Sequence, residues 1–206
     1  MITTQQLDSL IGKNINQICG NKFHSANENH CAHFVSHVCG LEFSFTCREY
    51  KGGTKPGANV RVNEVFAQCP KVGPWSAADT NVTQLIFVTA KSNVDLSKRY
   101  MSTNPQKHIG IFHKGKVYHY SNGSDRVTTD TPETFLSKFE AIYSGTQAIY
   151  FGLIPGSDLE LNIQPQGNQA SAERKFDLPD PVDKIWKARE SGQSDWFVVG
   201  KEINKV

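Results

Sequence analysis

The chain has 206 residues, 22 Lys and Arg against 20 Asp and Glu, a formal net charge of +2 and 38% apolar residues. That length supports one α/β or α+β domain with a substantial core and a modest appendage. The scattered, balanced charge carries no basic run interleaved with aromatics, and no window approaches the roughly 20 apolar residues of a membrane span, so neither nucleic acid nor a membrane is an expected partner.

The opening "MITTQQLDSLIGKNINQIC" lacks a basic segment followed by an apolar one, so the expectation is a soluble chain without a Sec signal, cytoplasmic or exported by a signal-independent route. Five cysteines, Cys19, Cys31, Cys39, Cys47 and Cys69, are an odd number with no C-x-x-C pair. This argues against a disulfide framework and a cysteine-rich zinc module, and it fits a reduced compartment.

Thr3 or Thr4 can cap a first helix whose apolar residues are Leu7, Leu10 and Ile11, with Gly12 as its weak point. The spacing predicts a second helix from about His30 to Cys39, closed by Gly40, with Cys31, Phe34, Val35 and Val38 as its inward stripe. The 45 residues from Leu41 to Leu85 hold turn chemistry at Gly52-Gly53 and Pro56-Gly57 and one short helix over Arg61–Cys69, and read as a loop-rich cleft wall. Phe66 and Trp75 in that stretch are candidate cleft-lining residues, with core burial the competing reading.

Strands are expected at Leu85–Ala90, His108–Phe112, Lys116–Ser121 and Ala148–Ile154, all β-branched and aromatic runs between turn residues. Thr131 caps and Pro132 opens a helix in "DTPETFLSKF". From Pro155 to Asp180 the text is rich in Pro, Gln, Asn and Ser, then Asp180-Pro181 opens a short helix to about Arg189, and Trp196–Ile203 reads as a last strand. Helices followed by mostly antiparallel strands make an α+β order, with a core over 1–155 and an extension over 156–206.

The chemistry concentrates in "NENHCAHFVSHVCG" and "HIGIFHKGKVYHYSN". A thiol attacks only as thiolate, and the start of a helix, where Cys31 falls, favours negative charge. If Lys114-Gly115 is a two-residue turn, Gly110 pairs with His119, and His108, Gly110 and His119 share one face of the hairpin. Gly110 then leaves space, and the helix carrying Cys31 is expected on that side, with His113 at the turn facing solvent. Nucleophile, base and orienter would be Cys31, His108 and His119; Asn122 is the alternative orienter, though the register points it to the other face. His30 stands beside the nucleophile as a candidate rim residue. His33 and His37 are i, i+4 neighbours able to grip a metal ion, but H-x-x-x-H here lacks the glutamate of a zinc hydrolase, and partly exposed histidines on the helix back are the preferred reading. Cys19, Cys39, Cys47 and Cys69 are expected to fill apolar gaps.

The order "HCAHFVSHVCG", "LIFVTA", "HIGIF", "VYHYS" resembles the NlpC/P60 superfamily of papain-like cysteine peptidases, with CHAP amidases as near kin. The resemblance covers roughly Asn27 to Tyr120 in pieces. It implies an α+β papain-like core and a Cys31–His108–His119 triad, with cleavage of an amide in peptidoglycan stem peptides and no metal or organic cofactor. The acidic and hydroxyl flanks common around the nucleophile are replaced here by His30 and Ala32. Thiol acyl transfer or lipid or amide hydrolysis on the same fold, a non-catalytic binding module and a histidine-helix metal protein are the alternatives. An immunity or inhibitor protein would be a partner if the chain is a delivered antibacterial effector.

Overall fold

The computed structural model describes residues 2–157 and the backbone of two strands, Ile185–Ala188 and Phe197–Gly200. In chain order come helix α1 (Thr4–Asp8), α2 (Cys31–Cys39), α3 (Cys47–Lys51) and α4 (Val62–Gln68). Strands β1 (Val72–Pro74), β2 (Gln84–Ala90), β3 (Val94–Asp95), β4 (Tyr100–Met101), β5 (Lys107–His113), β6 (Lys116–Ser121) and β7 (Arg126–Asp130) follow. Helix α5 (Pro132–Glu140) and strand β8 (Gln147–Gly152) close the core. The expected helix over Asp180–Arg189 is not formed along its described part, because Ile185–Ala188 is a strand, β9, paired antiparallel with β10 (Phe197–Gly200). The rest of that helix, and Trp196 and the residues after Gly200 in the expected last strand, lie outside the described residues.

Six strands form one antiparallel sheet in the order β1-β8-β2-β5-β6-β7. The architecture is α+β: helices pack against both faces of this sheet. β5 and β6 are joined at Lys114 (φ 48°) and Gly115 (φ 82°), two left-handed residues whose twist suits a hairpin. The register is the expected one, with Gly110 opposite His119 and His113 opposite Lys116.

Alternation along the strands sorts two cores. Leu85, Phe87, Ile109, Ile111, Tyr118 and Tyr120 pack with Cys31, Phe34 and Val35 of α2. Ile86, Val88, Phe112 and Val117 pack with Phe135 and Phe139 of α5 on the opposite face. Buried apolar area on this scale, at about 25 cal/mol per Å², is the main favourable term in folding. At the sheet edge, Val127 of β7 is covered, its N–H donating to the Lys13 carbonyl and its carbonyl accepting from Gly12 N–H. This leaves less of that edge open for another chain to pair with.

Local signals explain the helix ends. Thr3 and Gln6 form a capping box at α1, Thr131 accepts the Thr134 N–H before Pro132 at α5, and Gly40 closes α2 in the left-handed region at φ 67°, where a side chain would be strained. The short helix expected over Arg61–Cys69 is α4, and the segment from Leu41 to Leu85 is otherwise less loop-like than expected, containing α3 and β1 as well. Phe66 is a core residue, edge-on to Phe87 at 5.0 Å. Among the described residues no helix is long and apolar enough to cross a membrane.

Candidate functional site

Cys31 is the first residue of α2, a helix of nine residues. His30 occupies the cap position but its side chain does not cap the first turn, and Asn29 does that work instead, its Oδ1 accepting the Cys31 N–H at 2.9 Å. Asn122, just past β6, locks the turn: its Oδ1 accepts the His30 N–H at 3.0 Å and its Nδ2 donates to Asn29 Oδ1 at 2.9 Å. The side chain named as an alternative orienter therefore holds the backbone around the thiol.

The thiol is 1% exposed. Burial pushes it up to about 12, opposed by the amides of Ala32 and Ile109, the Lys107 charge and the Asn29 side chain. Lys107 opens β5 on the same face as Ile109, is itself buried, and is brought down to about 8 by desolvation, with Cys31 acting in the other direction. Burial holds the Tyr143 hydroxyl well above its usual range, and Cys31 adds to that in the same direction.

His108 and His119 meet as the hairpin register requires, His108 Nε2 to His119 Nδ1 at 3.1 Å. The contact extends to a residue the sequence reading missed: His119 Nε2 lies 2.8 Å from Asp130 Oδ2 on β7, and Lys138 of α5 donates to both Asp130 oxygens at 2.9 and 3.0 Å. The carboxylate fixes the tautomers. His119 donates from Nε2 to Asp130 and accepts at Nδ1, so His108 donates from Nε2. Burial first, then electrostatic opposition from His119 and Lys138 to a second proton on the pair, holds His108 well below the usual imidazole range.

This relay lies on the α5 face, where His108 stacks near Phe139 at 4.6 Å and His119 meets Phe135 edge-on at 5.1 Å. Cys31 lies on the α2 face. The expectation that the α2 helix would pack on the histidine side is therefore corrected, because residues 107, 109 and 111 turn to α2 while 108, 110 and 112 turn to α5. The structure brings His108 and His119 together and does not bring Cys31 to either.

Other expectations change too. Gly110 does not leave open space, since a Cβ there would meet Val117 Cγ1 at 2.7 Å and the Tyr118 carbonyl oxygen at 3.0 Å. His113 is buried rather than solvent-facing, its ring held between Thr4 Oγ1 at 2.9 Å and Thr83 Oγ1 at 2.6 Å. His30 is buried beneath Phe23 and Tyr120 rather than at a rim. Trp75 packs edge-on to Phe112 at 5.0 Å, on the α5 side.

His33 is fully buried, not on an exposed helix back. It gathers with His37, Cys19 and Cys47, whose ligand atoms all lie within 4.8 Å of one another. Cys19 and Cys47 lie in the hydrophobic core as expected, and they are also neighbours in this cluster.

No family model matches the sequence, and comparison with curated proteins and with solved structures finds no similar protein.

Proposed function

We propose that the chain is a thiol hydrolase with a papain-like, NlpC/P60-type core that cleaves an amide, with peptidoglycan stem peptide as the favoured substrate. The observation that carries this reading is the setting of Cys31: the first residue of α2, with two backbone amides, the Asn29 side chain and a buried lysine acting on its sulfur. Helix-start amides and a nearby cation favour thiolate and work against the burial that raises the thiol in the closed site.

The Cys31 sulfur attacks the amide carbonyl carbon, and its proton passes to a neighbouring base. That base returns the proton to the leaving amine as the C–N bond breaks, and water then hydrolyses the acyl-thioester to a carboxylic acid and the free thiol. The Cys31 N–H is engaged by Asn29 Oδ1, so that bond must open before this amide can donate to the tetrahedral oxyanion. Lys107 is the basic side chain on the thiol's own face and is the base this geometry favours over His108. The His108–His119–Asp130 relay then positions β5 against β6 and β7. Access requires the side chains over the thiol to move, since Cys31 is almost fully covered.

The test is mass spectrometry of purified muropeptides incubated with wild type, Cys31→Ala, Lys107→Met and His108→Gln. Fragments from wild type that vanish in Cys31→Ala support the hydrolase, and their masses name the bond. Loss in Lys107→Met with retention in His108→Gln supports the lysine as base; the reverse returns the role to the imidazole pair. Wild type that produces no fragments overturns the peptidoglycan assignment. Amine-trapped products in place of free acid would redirect the reading to acyl transfer.

A further inference from the structure

A second polar centre lies on the far side of α2 from the sheet contact, built from three separate stretches of chain. Cys19 follows the short turn Ile15–Gln17, His33 and His37 stand one turn apart on α2, and Cys47 is the first residue of α3. Cys19 Sγ and Cys47 Sγ are 3.9 Å apart, Cys47 Sγ and His37 Nε2 are 3.9 Å apart, and His33 Nε2 and His37 Nε2 are 3.1 Å apart. A tetrahedral zinc ion with metal–sulfur bonds of about 2.3 Å and metal–nitrogen bonds of about 2.05 Å requires edges of about 3.8, 3.6 and 3.3 Å for these three kinds of pair. The observed spacings match those edges within a few tenths of an ångström.

The surrounding bonds orient His33 and both sulfurs inward. Ser25 offers a carbonyl oxygen to His30 Nε2 at 2.9 Å, and a carbonyl can only accept, so His30 Nε2 carries a proton. Neutral His30 then accepts at Nδ1 from His33 Nδ1, 3.2 Å away. His33 is thereby protonated on Nδ1 and presents the lone pair of Nε2 to the cluster, the tautomer that an outer carbonyl imposes on a metal-bound histidine. Both sulfurs receive N–H donors from one residue: Asn21 N–H points to Cys19 Sγ at 3.3 Å and Asn21 Nδ2 to Cys47 Sγ at 3.5 Å. Such donors suit thiolates, and two thiolates 3.9 Å apart in a buried site repel unless a cation lies between them.

From this geometry we propose that Cys19, His33, His37 and Cys47 bind one zinc ion in a closed tetrahedral site. Two thiolates and two neutral imidazoles balance a divalent charge, and a mixed sulfur–nitrogen tetrahedral set is the chemistry zinc prefers. Four protein ligands leave no open position, so the ion is structural. It staples the segment before α2 and the start of α3 to the helix that carries Cys31. Binding releases the two thiol protons to solvent and involves no change of oxidation state.

The full-length chain, purified reduced with zinc in the medium, should contain one zinc per chain by elemental analysis. Replacement by cobalt should give tetrahedral d–d bands and thiolate-to-cobalt charge transfer. Cys19→Ser and Cys47→Ser should each lose the metal and the charge-transfer intensity, while Cys39→Ser and Cys31→Ala keep both. Removing zinc from wild type with a chelator should lower Tm. Should the serine variants fail to fold, the wild-type cobalt spectrum and His37→Asn, at the partly exposed ligand, still decide the matter. Zinc-free wild type with an octahedral cobalt spectrum overturns the proposal. A Cys19–Cys47 disulfide in the native peptide map, or full zinc retention in both serine variants, also overturns it. Because Cys31→Ala tests hydrolysis and the metal count separately, failure of one reading leaves the other intact.

Discussion

His119 Nε2 donates to Asp130 Oδ2 at 2.8 Å with both side chains buried, so the end of β7 is tied to the middle of β6 by a charge-assisted bond. Asp130 is held below the usual carboxylate range: burial alone would raise it, but the bonds from His119 and Lys138 outweigh that. Asp130→Ala leaves His119 without its acceptor and should cost about 1–3 kcal/mol. Asp130→Asn, which keeps an amide oxygen for His119, should cost less. Urea denaturation of the two variants beside wild type reads the difference.

Stability should fall on mild acidification. His108 is held well below its unfolded value of about 6.5, so as pH drops below that value the unfolded chain takes up a proton the native state refuses, and stability decreases. Asp130 acts in a lower window: its depressed carboxyl contributes stability above its unfolded value of about 3.9, lost as pH falls through its folded value. Tm measured at about pH 7.5 and pH 5 should therefore fall, and His108→Gln, which keeps a donor toward His119 but does not titrate, should flatten that fall. An unchanged slope in His108→Gln would show that the imidazole is not the group responsible.

Gly110→Ala should destabilise by about 1–3 kcal/mol, the range for overpacking. The new methyl meets Val117 Cγ1 at 2.7 Å and, more seriously, the rigid Tyr118 carbonyl at 3.0 Å. Chemical denaturation checks it, and a variant as stable as wild type would mean that β5 and β6 can separate there at no cost.

Tyr120→Phe should cost about 1–3 kcal/mol, because a buried donor loses its partner. The Tyr120 hydroxyl accepts the Ile15 N–H at 3.0 Å and donates to Asp125 at 2.8 Å. Hydrogen exchange should show the Ile15 amide less protected in the variant, while amides of β2, in the middle of the sheet, keep their relative order.

Much of the site's local geometry was legible. Cys31 and Gly40 mark the two ends of α2 because a helix start and a left-handed stop are written in short stretches of chain. The Lys114-Gly115 turn set the pairing of Gly110 with His119, because turn length fixes register over the next few residues. β7 was missed because "RVTTD" is short and polar, and its Asp130 earns its place only through partners on β6 and α5.

What sequence determined by itself was periodic: helix ends, strand runs, hairpin register, and the sorting of His108 and Ile109 to opposite faces of β5. Only the tertiary structure decided which helix covers which face, and therefore that Cys31 shares a face with Lys107 while His108 meets Phe139. It also joined Cys19 and Cys47 to His33 and His37, a grouping with no local spacing to announce it. Period and turn chemistry act over a few residues, whereas the side of the sheet a helix takes depends on how all the apolar surface is buried at once.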